Sequence, residues 1–275
     1  NPSLVGSEMC IRDRFYFLTG DLARLELALI NFAIETLCEN GYSLTTPPFL
    51  MNREAYEGVV DLTDFEEVMY KIEDHDLYLI ATSEHPITAR FKNEIIELKD
   101  GPLKFAGIST NFRREVGAHG ISDRGIWRVH QFSKVEQVII CKPEDSKKMH
   151  NEILENATLI FKKLEIPFRV IDICTGDIGT VAARKFDIEA WMPSSKKWKE
   201  VVSASNCKSY QSVRLNMRYR TQEGTDFPHT LNSTAVATTR ALAAIIENNQ
   251  TDNGDVIIPE VLRKWMGNQE IIEAK

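Results

Sequence analysis

The 275-residue chain is 43% hydrophobic and 27% charged, an ordinary globular composition with length enough for one large domain or two small ones. Its net charge of −7 speaks against a protein that coats nucleic acid through a basic surface, without excluding a local basic groove. No apolar run approaches bilayer-spanning length, and Cys10, Cys38, Cys141, Cys174 and Cys207 are scattered, with neither a Cys-x-x-Cys nor a zinc-like Cys/His spacing; reduced thiols, a cytoplasmic location and no structural zinc are expected.

The first fourteen residues read as foreign to the rest. Leu4–Asp13, LVGSEMCIRD, is what one frame of a transposase library adapter translates to, so residues 1–14 are expected not to be native and 15–275 to form the domain. A genuine polar tail is the alternative; a signal peptide is not, because Arg12, Asp13 and Arg14 interrupt any apolar core. Phe15–Leu18 reads as a short strand, followed by a helix with Asp21 as its N-cap and Gly41 at its end. That helix carries two apolar stripes (Leu22, Leu25, Leu29, Phe32 and Leu27, Ile30, Ile34, Leu37), so it lies deep in a core or is shared with a second chain.

Tyr42–Pro48 reads as a strand, Asn52–Gly58 as a helix, Val59–Phe65 as a loop and Met69–Ile80 as a hairpin turned at Glu73–Asp76. The hairpin delivers Leu77–Ile80 to Ala81-Thr82-Ser83-Glu84, where a hydroxyl and a carboxylate flank one residue and can converge on a small polar ligand. The alternative is a cap, with Thr82 or Ser83 starting a helix over His85–Leu98.

Asn111–Ile140 is the central stretch: a strand from Leu103 towards Arg113, a polar loop, and a strand returning over Trp127–Ile140. Arginines at the base of such a loop suit a triphosphate, because guanidinium is a planar fork that stays charged; a solvated hairpin is the other reading. Glu136, in mid-strand between Val135 and Val138, is costly to bury alone and is expected to face a cleft and bind a cation.

Further on, Asp145–Leu164 is an amphipathic helix with Met149, Ile153, Ala157, Ile160, Phe161 and Leu164 inward. Phe168–Ile173, Phe186–Trp191 and Trp198–Ser203 read as strands, Cys174–Gly179 as a tight turn and Pro193–Lys197 as a hairpin tip. In Thr230–Gln250 a short polar strand leads into a helix whose inner face is small (Ala235, Ala237, Ala241, Ala244). Arg240 there projects towards an anion, or is simply solvated.

Phe112-Arg113-Arg114-Glu115 with Arg128-Val129-His130-Gln131-Phe132 resembles the second signature motif of class II aminoacyl-tRNA synthetases, and His130–Glu136 is similar to the wording of their seryl branch. The early helix and proline-ended strand resemble the first motif, and Thr230–Gln250 the third; Val256–Met266 resembles the family's C-terminal ending, so that end reads as complete. The resemblance implies an α+β fold, an antiparallel β-sheet flanked by helices, in a homodimeric ligase that joins L-serine to tRNA(Ser) using ATP and Mg2+. It implies that Arg113 meets the α-phosphate and the serine carboxylate, with Arg240 on the far phosphates as the second catalytic arginine. Arg114, Glu115, Val129, His130, Gln131 and Phe132 would surround the adenine end, and Glu200, Val201, Val202 and Ser203 would approach ATP, with Glu200 and Ser203 at its magnesium. Thr82, Ser83, Glu84, Glu136, Asn232 and Thr234 would hold serine.

Two positions depart from the family pattern, Ser209 for an aspartate and Val213 for an arginine, which puts local packing there in doubt. The family's N-terminal coiled coil, which grips the tRNA extra arm, is not among these residues and is expected to have been lost with the native N-terminal part; only the acceptor end of tRNA is then expected to be engaged, and charging to be impaired. Alternatives are a ligase loading an amino acid onto a carrier protein, which the lack of a Cys/Glu/Cys zinc set disfavours, and an inactive dimeric paralogue, which intact Arg113, Glu136 and Arg240 disfavour. A generic nucleotide-binding domain would leave Thr82-x-Glu84 unexplained.

Overall fold

The computed structural model describes residues 9–12, 14–115 and 125–274, with backbone alone at 9–12, 64 and 65. Most of the adapter-like stretch and the middle of the polar loop, residues 116–124, thus lie outside the described residues.

In chain order the elements begin β1 (Met9–Arg12), β2 (Phe15–Leu18), α1 (Gly20–Glu39), β3 (Ser43–Thr45), β4 (Leu50–Met51), α2 (Arg53–Val59), α3 (Leu62–Phe65) and β5 (Tyr78–Leu79). Then come α4 (Glu84–Ala89), β6 (Ile95–Ile96), β7 (Leu103–Phe112), β8 (Gln131–Cys141), α5 (Ser146–Lys163), β9 (Phe168–Asp172), β10 (Arg184–Met192) and β11 (Lys197–Lys208). The chain finishes with α6 (Tyr210–Arg214), β12 (Arg218–Arg220), β13 (Thr225–Asp226), β14 (His229–Ala237), α7 (Thr238–Asn249), β15 (Val256–Ile257), α8 (Glu260–Arg263) and β16 (Ile271–Ile272).

Seven strands make the main sheet in the order β3-β7-β8-β14-β11-β10-β9. Six of them are antiparallel as expected; the edge strand β3 departs from that, running parallel to β7 across a long connection, as parallel pairs require. Strand alternation sorts β8 into two faces. Val135, Ile139 and Cys141 join the core beneath α1, α5 and α7, whereas Ile140 packs in a second cluster with Tyr56, Ile80 and Leu215. Gln137, on the helix side, is satisfied there: its amide donates to the Ile153 carbonyl (2.9 Å) and accepts from Asn156 (2.9 Å). No helix among the described residues is long and apolar enough to cross a membrane.

Several local expectations change. Thr19, not Asp21, takes the cap position of α1; Asp21 sits in the first turn, bonded to Arg24 at 3.0 Å and to Gln269 at 2.8 Å. The helix expected over His85–Leu98 stops at Ala89, because Asn93 turns left-handed (φ 60°) and Ile95–Ile96 pairs parallel with Arg218–Tyr219. Ala235 and Ala237 belong to β14 rather than to the helix after it, leaving Ala241 and Ala244 as the small inner face of α7. Val59–Phe65 is not wholly loop, since α3 forms with Asp61 as N-cap accepting from the Thr63 N–H (3.0 Å).

Gly107 on β7 marks where α4 crosses the sheet. A Cβ there would lie 2.5 Å from Ile87 Cδ1 and 2.6 Å from Ser83 Oγ. Gly107→Ala is expected to cost about 1–3 kcal/mol of stability by forcing α4 off the sheet, measurable by urea unfolding.

Candidate active site

On the sheet face opposite the helices lies a cavity of about 210 Å³, walled by β7, β8, β11, β14, the start of α4 and the start of α7. Side-chain parity explains its lining. Phe132, Lys134 and Glu136 alternate on one face of β8, and Asn232 and Thr234 do so on β14. Two bulges complete it: an extra Val201 shifts β11 against β10, and an extra Ala235 shifts β14 against β8. The first brings Val201 and Ser203 both to the cavity with Glu200; the second lets Thr234 face the site just ahead of the helix that carries Arg240.

Arg113 leaves the end of β7 with its N–H donating to the His130 carbonyl (2.9 Å) and its side-chain Nε donating to the Ala81 carbonyl (3.3 Å). Its guanidinium carbon lies 5.3 Å from the centre of the Phe132 ring. Burial, reinforced by Arg240, pulls Arg113 below its ordinary range, while Glu115, Glu200 and Glu136 oppose the shift. The guanidinium stays charged throughout the physiological range. Arg240 donates to the Glu200 carbonyl at 3.0 Å and to its carboxylate at 3.3 Å, and lies 5.7 Å from the Trp127 ring centre. Glu115 adopts a left-handed backbone (φ 48°) that turns it into the cavity, and Arg128 pairs with it at 3.3 Å.

A second group lies deeper. Lys134 Nζ is 2.5 Å from Glu136 Oε2 and donates to Thr82 Oγ1 at 2.8 Å; Thr234 donates to Glu136 at 3.2 Å. Lys134 and Glu136 are both buried, and burial pulls Lys134 down against the opposing pull of Glu136. The cation expected for Glu136 is therefore, in this structure, supplied by the same strand. Beside them Glu84 is pushed up to about 7, chiefly by burial and then by Glu136, with Gln211, Lys134 and Arg113 opposing. His85 is pulled down to about 3 by burial, then by Lys134 and Arg113, so it is neutral and too weak a base to take a proton near neutrality. Burial also raises the Cys207 thiol well above its usual range, so neither side chain is an activated nucleophile.

Five of the residues expected at the site do not line this cavity. Ser83 is buried against β7, donating to the Gly107 carbonyl at 3.2 Å. Arg114 and Gln131 are exposed, Gln131 by its odd place in the alternation of β8. Val202 points into the core under the helices. His130 braces instead of lining: its Nδ1 lies 2.8 Å from the Tyr70 hydroxyl and 3.0 Å from the Arg113 carbonyl. Lys134, His85, Trp127 and Thr239 line the cavity without having been singled out. Lys134 was legible, since it sits two residues from Glu136 on the same strand face. Val213 is 51% exposed at the end of the short α6, so an arginine's absence there leaves no hole in the packing.

A polar cavity with two arginines, four carboxylates and several hydroxyls is built to hold a polyanion beside a small zwitterion. The model of the family described as "tRNA synthetase class II core domain (G, H, P, S and T)" matches residues 67–249, and the chain belongs to that family. Within it, the chain is similar to serine–tRNA ligases. It is 58% identical over 261 residues to the one from Methanospirillum hungatei, covering 94% of this chain and 61% of that protein. It is 52% identical to the one from Pyrococcus horikoshii, covering 94% and 57%. The solved seryl-tRNA synthetase from Pyrococcus horikoshii complexed with ATP superposes with a TM-score of 0.93 at 50% identity, over 95% of this chain and 59% of that one. The cytoplasmic serine–tRNA ligase from Naegleria fowleri in complex with AMP gives 0.90 at 44% identity, over 95% and 62%. The chain thus spans about three-fifths of the length of the curated relatives it matches.

Proposed function

We propose that the chain activates L-serine with ATP and, as part of a longer protein, passes the serine to tRNA(Ser). The observation that carries this reading is the pairing of two groups in one cavity: Arg113 and Arg240 for phosphate, and Glu84, Glu136, Thr82, Thr234 and Asn232 for a small amino acid. Arg113 interacts electrostatically with both groups, which is what a residue bridging a carboxylate and an α-phosphate must do. The serine–tRNA ligase relatives and the ATP- and AMP-bound structures of similar proteins support it.

The reaction brings together two anions. A serine carboxylate oxygen attacks the α-phosphorus, the bond to the bridging oxygen breaks and pyrophosphate leaves, giving seryl-adenylate. A tRNA hydroxyl then attacks the acyl carbon and AMP departs. Arg113 would orient the carboxylate against the α-phosphate, and Arg240 would hold the outgoing phosphates, so charge is neutralised without a side-chain nucleophile. The lining Glu200 and Ser203 offer hard oxygen donors, and among the described residues no cluster of three His, Cys, Asp or Glu could hold a metal unaided. That set fits Mg2+ shared with phosphate oxygens and water, where the ion would supply charge neutralisation. Deeper in, Glu84 would take the ammonium, while Glu136 and Thr234 would pair the hydroxyl, leaving these groups unsatisfied when alanine or glycine binds.

ATP–pyrophosphate exchange on residues 15–275, with each amino acid in turn and no tRNA, tests this. Serine-specific, magnesium-dependent exchange is expected; exchange with another amino acid, or none, would overturn it. On their own these residues are expected to charge tRNA(Ser) far more slowly than they form the adenylate, because only the acceptor end is engaged. Comparing aminoacylation with exchange on one preparation checks this.

We also propose a homodimer, acting in the cytoplasm. Phe17 (68% exposed), Leu27 (60%) and Leu44 (52%) leave large apolar side chains outward on β2, α1 and β3, the last two being the helix and strand that resemble the first motif. Sedimentation should show a dimer that Leu27→Glu weakens; a monomer at micromolar concentration would rule it out. Residues 1–14 we take as non-native from the wording of Leu4–Asp13, and reading the nucleotide record decides that.

A further inference from the structure

We propose that Gln211 is a positioning residue for amino-acid binding, holding Glu84 so that one carboxylate oxygen is anchored and the other stays available to the ligand's ammonium. This rests on the functional reading above. Gln211 lies on the short α6, outside the cavity, and is fully buried, as is Thr230 on β14. Its amide nitrogen donates to Glu84 Oε1 at 2.8 Å and to the Val59 carbonyl at 3.0 Å, and its amide oxygen accepts from the Thr230 hydroxyl at 2.6 Å.

These partners define the amide's orientation. A flipped amide would aim its oxygen at a carboxylate and a carbonyl, three acceptors without a hydrogen among them. The relay therefore runs one way, from the Thr230 hydroxyl through Gln211 to an ionised Glu84. A charge-assisted bond of this kind is worth more than a neutral one, and its loss leaves a buried carboxylate short of a donor. Facing Glu84 are Glu136 and Lys134 from β8, Arg113 from the end of β7, Cys207 from β11 and His85 on its own helix; Asp61, ahead of α3, lines an adjoining cavity that Glu84 shares. Of these, Glu136 disfavours the charged form while Lys134 and Arg113 favour it, as the Gln211 donor does. Removing that donor makes Glu84 harder to ionise, so less of it is competent to hold an ammonium at a given pH.

The test is serine-dependent pyrophosphate exchange from pH 6 to 9 for the parent and for Gln211→Met, which keeps length and volume. The expected result is a serine KM raised about tenfold or more at neutral pH, with ATP KM and kcat little changed. The acid limb of the serine-KM profile should also move up by about one pH unit. Thr230→Val should move both quantities the same way by less, and Thr230→Ser, which keeps the donor, should restore them. If Gln211→Met does not fold, the two Thr230 variants decide the matter. Parallel rises in serine and ATP KM, or an acid limb that stays where the parent has it, overturn the positioning role. A parent that shows no serine-dependent exchange overturns the functional reading and this role together; an active parent with a normal Gln211→Met variant overturns only the latter.

Discussion

Replacing Arg113 by methionine is expected to lower serine-dependent pyrophosphate exchange by about a hundred- to a thousandfold, the range for losing one preorganised charge at a transition state. The structure gives three reasons for placing the largest loss here. Arg113 is partly buried in the cavity wall, so its charge is less screened than a surface arginine's. Its backbone is pinned to His130 and its side chain to the Ala81 carbonyl and the Phe132 face, so the guanidinium is held in place before any ligand arrives. It is also the residue whose charge reaches both groups of the cavity. Arg113→Lys should recover little, because an ammonium cannot bridge a carboxylate and a phosphate as a planar fork does. Quench-flow measurement of adenylate formation checks this; a lysine variant within tenfold of the parent would remove the bidentate role.

Glu84→Gln is the second large effect, and it has two opposite faces. Loss of the carboxylate should raise the serine KM by about a hundredfold, since the ammonium loses its charged partner inside a poorly solvated site. The same change should stabilise the ligand-free protein at alkaline pH. Burial and Glu136 push Glu84 up from an ordinary 4.5 to about 7 in the fold, so between those values the native state holds a proton that the unfolded chain has released. Stability then falls as pH rises through that window, and the full cost, up to about 3 kcal/mol, is present above pH 8. The variant should therefore melt higher than the parent at pH 8 and equally near pH 4. Calorimetry at both values checks the sign, and a variant no more stable at pH 8 would mean that Glu84 is not held above its ordinary range. Serine should erase the parent's penalty, because its ammonium restores the charge balance.

Much of the site was legible because it is built on strands, where alternate residues share a face. Once Glu136 is taken as cavity-facing, Lys134 and Phe132 follow and Gln131 is excluded; treating the whole stretch as one binding unit obscured that parity. The Lys134–Glu136 pair follows from the same parity, although Glu136 alone had been expected to find its cation outside the strand. What local pattern could not supply was the bulges. Val201 and Ala235 look like ordinary strand residues, and only the register of neighbouring strands reveals that each is supernumerary. The early end of α4 was not legible for a related reason: the apolar residues after Ala89 continue a helical spacing, but Ile95 and Ile96 are taken by a strand more than a hundred residues away. Gln211 carried no signal at all, since a glutamine in a polar turn gives no hint that it is buried against a carboxylate.

The two bulges have a consequence for how the chain tolerates changes of length. Either residue could be exchanged for another small apolar one with modest effect, since each is buried among its neighbours. Deleting either is also accommodated by the ladder: Glu200 stays opposite Glu189 and Ser203 opposite Asp187, Thr234 opposite Glu136 and Val236 opposite Val135, so the strand closes into regular pairing and the flanking side chains keep their faces. A scan of single-residue deletions should therefore find these two aliphatic positions milder than the paired residues beside them, whose loss turns the side chains of one flank to the other face, while the tips at 73–76 and 193–197 absorb a deletion with little effect.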